Sequence, residues 1–342
     1  MTHQALVSIS PVLAEDHKGR NRSFSIFAPE CVLLAMGIVA YWVFPTDLGL
    51  LTNIASMALL SLSLGLVLGQ AGIGSMGHAA LYGAGGYAAG LLALHVTNDP
   101  LLGLVGGGMA GLLVAAVSGA ILLRAQGLTL VMLTIATAQL LLELANWARN
   151  VTGGDDGLTG FTIAPLFGLF EFDFTGRTGY FYTLAVLVVS YCLLRRIVVS
   201  PFGLTARAIK LDAGRVEALG GKVYPHLLIV YSIGGFFAGV AGALSAQTAK
   251  VASLSMLDFS VSSGVLIMVV LGGTSRLAGA LVGTVAYMAI HHIASNLSPH
   301  NWLLLIGVIL ITVMVVLPGG LIELSDRFAA WWTSRGKAKD DC

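Results

Sequence analysis

The chain reads as an all-α polytopic membrane protein of about ten transmembrane or re-entrant helices with a parallel internal repeat. Three observations carry that reading. Of its 342 residues, 56% are hydrophobic and 10% charged, with mean hydropathy +0.88, against roughly 25% charged in an average soluble domain. Apolar runs of about 20 residues, the length of a membrane-crossing helix, recur throughout, unlike the weak alternation of barrel strands. The 43 glycines suit helices that must approach closely where lipid supplies no hydrophobic drive to associate.

In chain order, the first 27 residues form a polar tail with Glu15, Asp16, His17, Lys18, Arg20 and Arg22. The apolar run that follows lacks a small-residue cleavage site and is expected to be a retained first span. Apolar runs bounded by charges and turn residues place spans at 29–45, 48–69, 78–96, 101–123, 128–147, 179–196, 224–248, 259–272, 277–296 and 301–322. With a cytoplasmic amino terminus, 15 of the 18 Lys and Arg fall inside, and only Arg149, Arg177 and Lys250 fall outside. Positive charge favours the cytoplasmic side, so both termini are expected there, as a tail at 1–28 and another at 323–342 flanking a membrane domain at 29–322. The net charge of +1 names no partner; membrane lipid and no nucleic acid are expected around a chain of this composition. Cys31, Cys192 and Cys342 are scattered and form neither a metal pattern nor a disulfide framework.

Two features break a simple bundle. Residues 69–90, GQAGIGSMGHAALYGAGGYAAG, are too glycine-rich for a stiff helix. Either the chain breaks there and a new helix starts with unpaired backbone N–H groups facing the membrane interior, or the glycines only allow close packing. In addition, Gly72, Ser75, Ala80, Leu81, Gly83, Tyr87 and Ala89 recur 200 residues on as Gly272, Ser275, Ala280, Leu281, Gly283, Tyr287 and Ala289. Composition alone would supply about two such identities, so a parallel repeat about an axis along the membrane normal is expected.

Four groups of residues are candidates for function. The external loop at 148–178 opens with TGGDDGLTG, where Thr152, Asp155 and Asp156 could dock a delivering protein or merely shape a turn. Glu143 is the one carboxylate well inside a span, and Gln139 and Asn146 share its helical face. That face is expected to look into the bundle or a water-filled path, with a buried hydrogen-bonded cluster as the plainer alternative. Ser75, His78 and Tyr82 are path candidates near the inward end of the third span, against a histidine simply bonded to a backbone carbonyl. His291 and His292 have the same plain reading, and nothing beside any of these completes a metal site or catalytic triad.

The fourth group is GLTARAIKLDAGRVEALGGKVYPH, residues 203–226, too charged for hydrocarbon. Residues 204–219 are predicted to form one short aqueous helix, ended by Gly220 and Gly221. Arg207, Asp212, Arg215, Glu217, Ala218 and Gly220 would meet a groove on a partner protein, or rest on lipid headgroups.

At these residues the chain resembles the LivM-type permeases of the branched-chain amino acid family of ATP-binding-cassette importers, over about residues 48–322. The resemblance rests on GLVLGQAGIGSMGHAALYGAGGYAAGLL, TGGDDGL, SPFGLTARAIKLDAGRVEALGG, FFAGVAGAL and VVLGGTSRLAGALVG, in the family's order. It implies a permease domain in a bacterial inner membrane, without catalytic residues, metal or cofactor of its own. It also implies a homologous second permease of the LivH type, two ATPase subunits carrying ATP and Mg, and a periplasmic solute-binding protein. Glu217, Ala218 and Gly220 then correspond to the loop that docks on the nucleotide-binding subunit. The sequence departs from the family's usual pattern at LDAGR and in its long polar tail.

The absence of a GxxxxGK[ST] phosphate loop agrees that energy arrives through a partner. The family's solutes include branched-chain amino acids, the first expectation here, and urea, short amides and aromatic acids as alternatives. A secondary transporter or channel would need carboxylates deep in several spans, where only Glu143 qualifies. A membrane enzyme would need a converging constellation of acid, base and nucleophile, which the sequence does not hold.

Overall fold

The computed structural model describes residues 28–43, 47–165 and 176–297, with isolated positions between 304 and 321. The polar tail before residue 28, the carboxy-terminal tail and nearly all of the tenth span lie outside the described residues. Described elements are helical: α1 (Ala28–Val43), α2 (Leu48–Leu64, running on as a π-helical segment Gly65–Gln70), α3 (His78–His95), α4 (Pro100–Leu122), α5 (Leu128–Trp147), α6 (Arg149–Thr152), α7 (Arg177–Val199), α8 (Pro201–Leu211), α9 (Ala213–Ala218), α10 (Val223–Ala249), α11 (Phe259–Gly272) and α12 (Leu277–Leu297).

Among the described residues, six helices are long and apolar enough to cross a membrane: Leu48–Gln70, Pro100–Leu122, Leu128–Trp147, Arg177–Val199, Val223–Ala249 and Leu277–Ser295. The expected spans at 29–45 and 259–272 are shorter apolar helices. At 1.5 Å per residue the 14 residues of α11 cover about 21 Å, less than a hydrocarbon core. The missing length comes from residues 250–258, which run alongside α3: a Cβ on Gly90 would lie 3.8 Å from that of Ala252, and one on Gly83 2.5 Å from the side chain of Leu257.

Helix α10 is the central column, with α2, α3 and α4 packed around it. The contacts are backbone to backbone. A Cβ on Gly239 would sit 2.3 Å from the carbonyl of Gly107, and one on Gly242 1.8 Å from that of Tyr82. Dispersion at such short range replaces the hydrophobic drive that lipid cannot supply. Small polar side chains add bonds between helices: Ser61 Oγ and Thr284 Oγ1 are 2.6 Å apart, Ser63 Oγ donates to Gly234 O at 2.6 Å, and Gln247 Nε2 donates to Pro100 O at 2.8 Å.

Cations collect at one end of this bundle. The α2–α3 and α11–α12 links meet there, a Cβ on Gly69 lying 2.8 Å from Thr274 O, and α8 joins them through Lys210, whose Nζ donates to Gly69 O at 2.8 Å. Arg124, Arg276 and the cations of 195–222 share that end, while Arg149, Arg177 and Lys250 occupy the other. The two links differ locally. Residues 71–77 form a long irregular connection with Gly72 at φ 72°, whereas 273–276 make a tight turn.

Candidate functional site

At the charged end, α7 bends sharply into α8. Ser200 caps α8 by accepting from Gly203 N at 3.4 Å, Pro201 takes the first helical position, and a Cβ on Gly203 would lie 2.4 Å from Val198 O. The single helix expected over 204–219 is instead two helices broken at Asp212. Asp212 adopts an extended backbone, its Oδ1 accepts from Arg215 N at 3.1 Å, and its Oδ2 pairs with Arg215 Nε at 2.8 Å. This local capping ends α8 and starts α9. Helix α9 stops in a Schellman motif: Gly220, at φ 84°, donates to Glu217 O at 2.9 Å and Gly221 to Val216 O at 2.9 Å.

Glu217, Ala218 and Gly220 all face solvent here, as do Arg207 and Arg215. So do Leu211 at 87% and Leu219 at 89% exposure, two leucines that the charged pattern around them conceals in the sequence.

The break before α3 is real, but it does not open its N–H groups to a path as expected. Met76 N donates to Thr134 Oγ1 at 3.1 Å, Gly77 N to Ser75 Oγ at 3.3 Å and Ala79 N to Ser262 Oγ at 2.8 Å. Side chains from α5, α11 and the break itself have taken the positions a ligand would need. Ser75, His78 and Tyr82 are buried between helices of the chain. His78 Nδ1 lies 3.4 Å from Ser75 Oγ, its ring meets Tyr231 edge-on, and its Nε2 has no hydrogen-bond partner among the described residues.

Gln139 and Glu143 are elsewhere. Helix α5 packs on the bundle through Leu130, Thr134 and Ala138, so the opposite face, with Gln139 and Glu143, is exposed on the outside of this chain. The structure therefore separates the expected path residues into two sets, one inside the bundle and one on its surface. The alternative that Glu143 looks into this chain's own bundle is corrected. A carboxylate one turn from the end of a membrane helix faces water or a partner.

At the far end, the loop starting at Thr152 is built by its glycines: Gly153, Gly154, Gly157 and Gly160 all have positive φ. Thr152 is buried, its hydroxyl 2.6 Å from Ala145 O, and Leu158 pairs with Ala252 through N–H to O bonds of 2.7 and 3.0 Å. Asp155 and Asp156 stay exposed on this pinned turn, with Asp155 3.8 Å from Arg149. Replacing both aspartates with alanine is expected to leave membrane insertion intact and to lower uptake severalfold; unchanged uptake would exclude them from docking.

Six helices of this length and hydropathy, glycine-packed around a central column with cations gathered at one end, fit a multi-pass membrane protein. The chain belongs to the family described as the permease component of branched-chain amino acid transport systems, whose pattern matches residues 47–314. It is 26% identical over 325 residues to the high-affinity branched-chain amino acid transport system permease protein LivM of Salmonella typhimurium, covering 86% of this chain and 75% of that protein. The LivM protein of Escherichia coli is similar to the same degree, 26% over 325 residues with 86% and 75% covered. No solved structure matches.

Proposed function

We propose that the chain is one of two homologous permease subunits of an ATP-binding-cassette importer for branched-chain amino acids. Two ATPase subunits, carrying ATP and Mg, dock on α8 and α9 from the cytoplasm. A periplasmic binding protein delivers the solute to the end that bears Asp155 and Asp156. The second, LivH-type permease covers the exposed face of α5, so that Gln139 and Glu143 line a path between the subunits. Completion by the tenth span, both termini in the cytoplasm of a bacterial inner membrane, and a parallel repeat relating the α2–α3 and α11–α12 links belong to this reading.

The observation that carries it is the surface of α8 and α9, where Leu211, Leu219 and Glu217 project from the end rich in cations. ATP-driven closure of the engine would press on that surface and rock the helices around the path. The test is coexpression with the partner subunits: ATPase is expected to co-purify with the tagged chain, and Glu217→Arg to abolish ATP-dependent leucine uptake. Retained uptake in Glu217→Arg, with no ATPase ever bound, would exclude the coupling role.

A further inference from the structure

The end of α2 is neither plain helix nor plain loop. Residues Gly65–Gln70 form a π-helical segment, and Ile73 N donates to Val67 O at 3.2 Å beyond it. Such wide turns hold one residue more than an α-helix would and often sit at functional positions. Gln70 ends this segment, 2% exposed. Its Oε1 accepts from Arg207 Nε of α8. The neighbouring Gly69 carbonyl accepts from Lys210, and Gly72, at φ 72°, lies directly under the Lys210 side chain. The docking helix therefore grips the wide turn through two cations.

From there the 71–77 segment passes against α5 before entering α3. Gly74 lies against Val131, Met76 N donates to Thr134 Oγ1 at 3.1 Å, and a Cβ on Gly77 would be 2.7 Å from Thr134 O. Thr134 Oγ1 also donates to Val131 O at 2.7 Å, so one hydroxyl joins the break to the helix backbone. Glu143 lies nine positions further along α5, on the face opposite Thr134, about 13 Å up the axis.

We propose that Gln70 and Thr134 are the positioning residues of a relay that carries motion of α8 through the wide turn and the 71–77 segment to the exposed face of α5. The proposal rests on the coupling reading given above. The two-state element it needs is the wide turn itself: losing its extra residue turns Gln70 by about 100° around the helix axis and pulls the segment below it. A push on Arg207 and Lys210 thereby tilts α5 at Thr134, and the outward face that carries Gln139 and Glu143 moves with it.

The experiment uses the assembled complex with a single thiol, Ala136→Cys on the exposed face of α5, after replacement of the native cysteines. The rate of its reaction with a small maleimide is measured with and without ATP and vanadate. Trapping is expected to change that rate by about threefold or more, and Gln70→Leu or Thr134→Val to cancel the change while ATPase subunits still co-purify. Gln70→Glu and Thr134→Ser, which keep the acceptor and the hydroxyl, are expected to restore it. A nucleotide response that survives both Gln70→Leu and Thr134→Val, or that is missing with Gln70 and Thr134 intact, overturns the relay. Should Gln70→Leu fail to assemble, the Thr134→Val and Thr134→Ser pair decides alone. Failure of the coupling reading gives a different result, since no ATPase would co-purify with any form of the chain.

Discussion

Replacing Leu211 and Leu219 together with aspartate is expected to abolish ATPase binding and ATP-dependent uptake while leaving the membrane domain intact. Both side chains are almost fully exposed, at 87% and 89%, and gain nothing from the chain's own packing. Burying a leucine in a partner's groove contributes about 1.5–3 kcal/mol. Losing two, and forcing two carboxylates into the same groove, weakens the complex by more than about a hundredfold. Exposed substitutions on the free chain shift its stability by less than about 0.5 kcal/mol. Pull-down of the ATPase with the tagged double variant, beside its detergent melting temperature, separates the two effects. An unchanged pull-down would mean that these leucines face something else.

The second large effect is expected from Gly239→Leu. Its Cβ would lie 2.3 Å from Gly107 O and 3.0 Å from Gly111 Cα, so α4 and α10 must separate to admit any side chain. Overpacking of that kind costs about 1–3 kcal/mol for a methylene or two and more where the obstacle is backbone. The variant is expected to fail to accumulate as a monodisperse species by fluorescence-detected size exclusion. Gly49→Leu is the control, since nothing lies within 4 Å of its Cβ position, and it is expected to behave as the parent does. Equal behaviour of the two variants would show that close contact at the central column is not what holds the bundle.

Helix positions were legible in the sequence because apolar run length and flanking charge are physical requirements of a bilayer: helices α1 to α5, α7 and α10 to α12 lie where nine spans were expected, and six of them are long and apolar enough to cross a membrane. The short span expected at 259–272 has the bounds of α11, but nothing in SVSSGVLIMVV announces that residues 250–258 descend beside α3. The aqueous segment at 203–226 is legible through its charges, whereas the carboxylate of Asp212 is spent on capping α9 and pairing with Arg215. Asp followed by Ala-Gly-Arg is an N-cap pattern, so that signal was present. Leu211 and Leu219 were passed over because apolar residues in a polar loop look like the buried side of an amphipathic helix, and only burial tells the difference.

The direction of Glu143 could not be read at all from one chain. Periodicity shows that Gln139 and Glu143 share a face of α5, but Thr134 decides which face meets the bundle. Gln70 and Thr134 carried a weak signal as isolated polar residues at the edges of apolar runs. Their importance lies in pairings with Arg207 and Met76, 137 and 58 residues away in the chain, which no local pattern encodes.

The central claim is that the surface around Glu217 faces the cytosol and is gripped there by a separate ATP-hydrolysing engine. A single cysteine at exposed Lys222, in a chain without other thiols, tests it by labelling with a membrane-impermeant maleimide. Inside-out vesicles are expected to label and right-side-out spheroplasts to stay blank, and coexpressed ATPase subunits are expected to shield the thiol. Labelling of intact spheroplasts would put that surface outside and contradict the account.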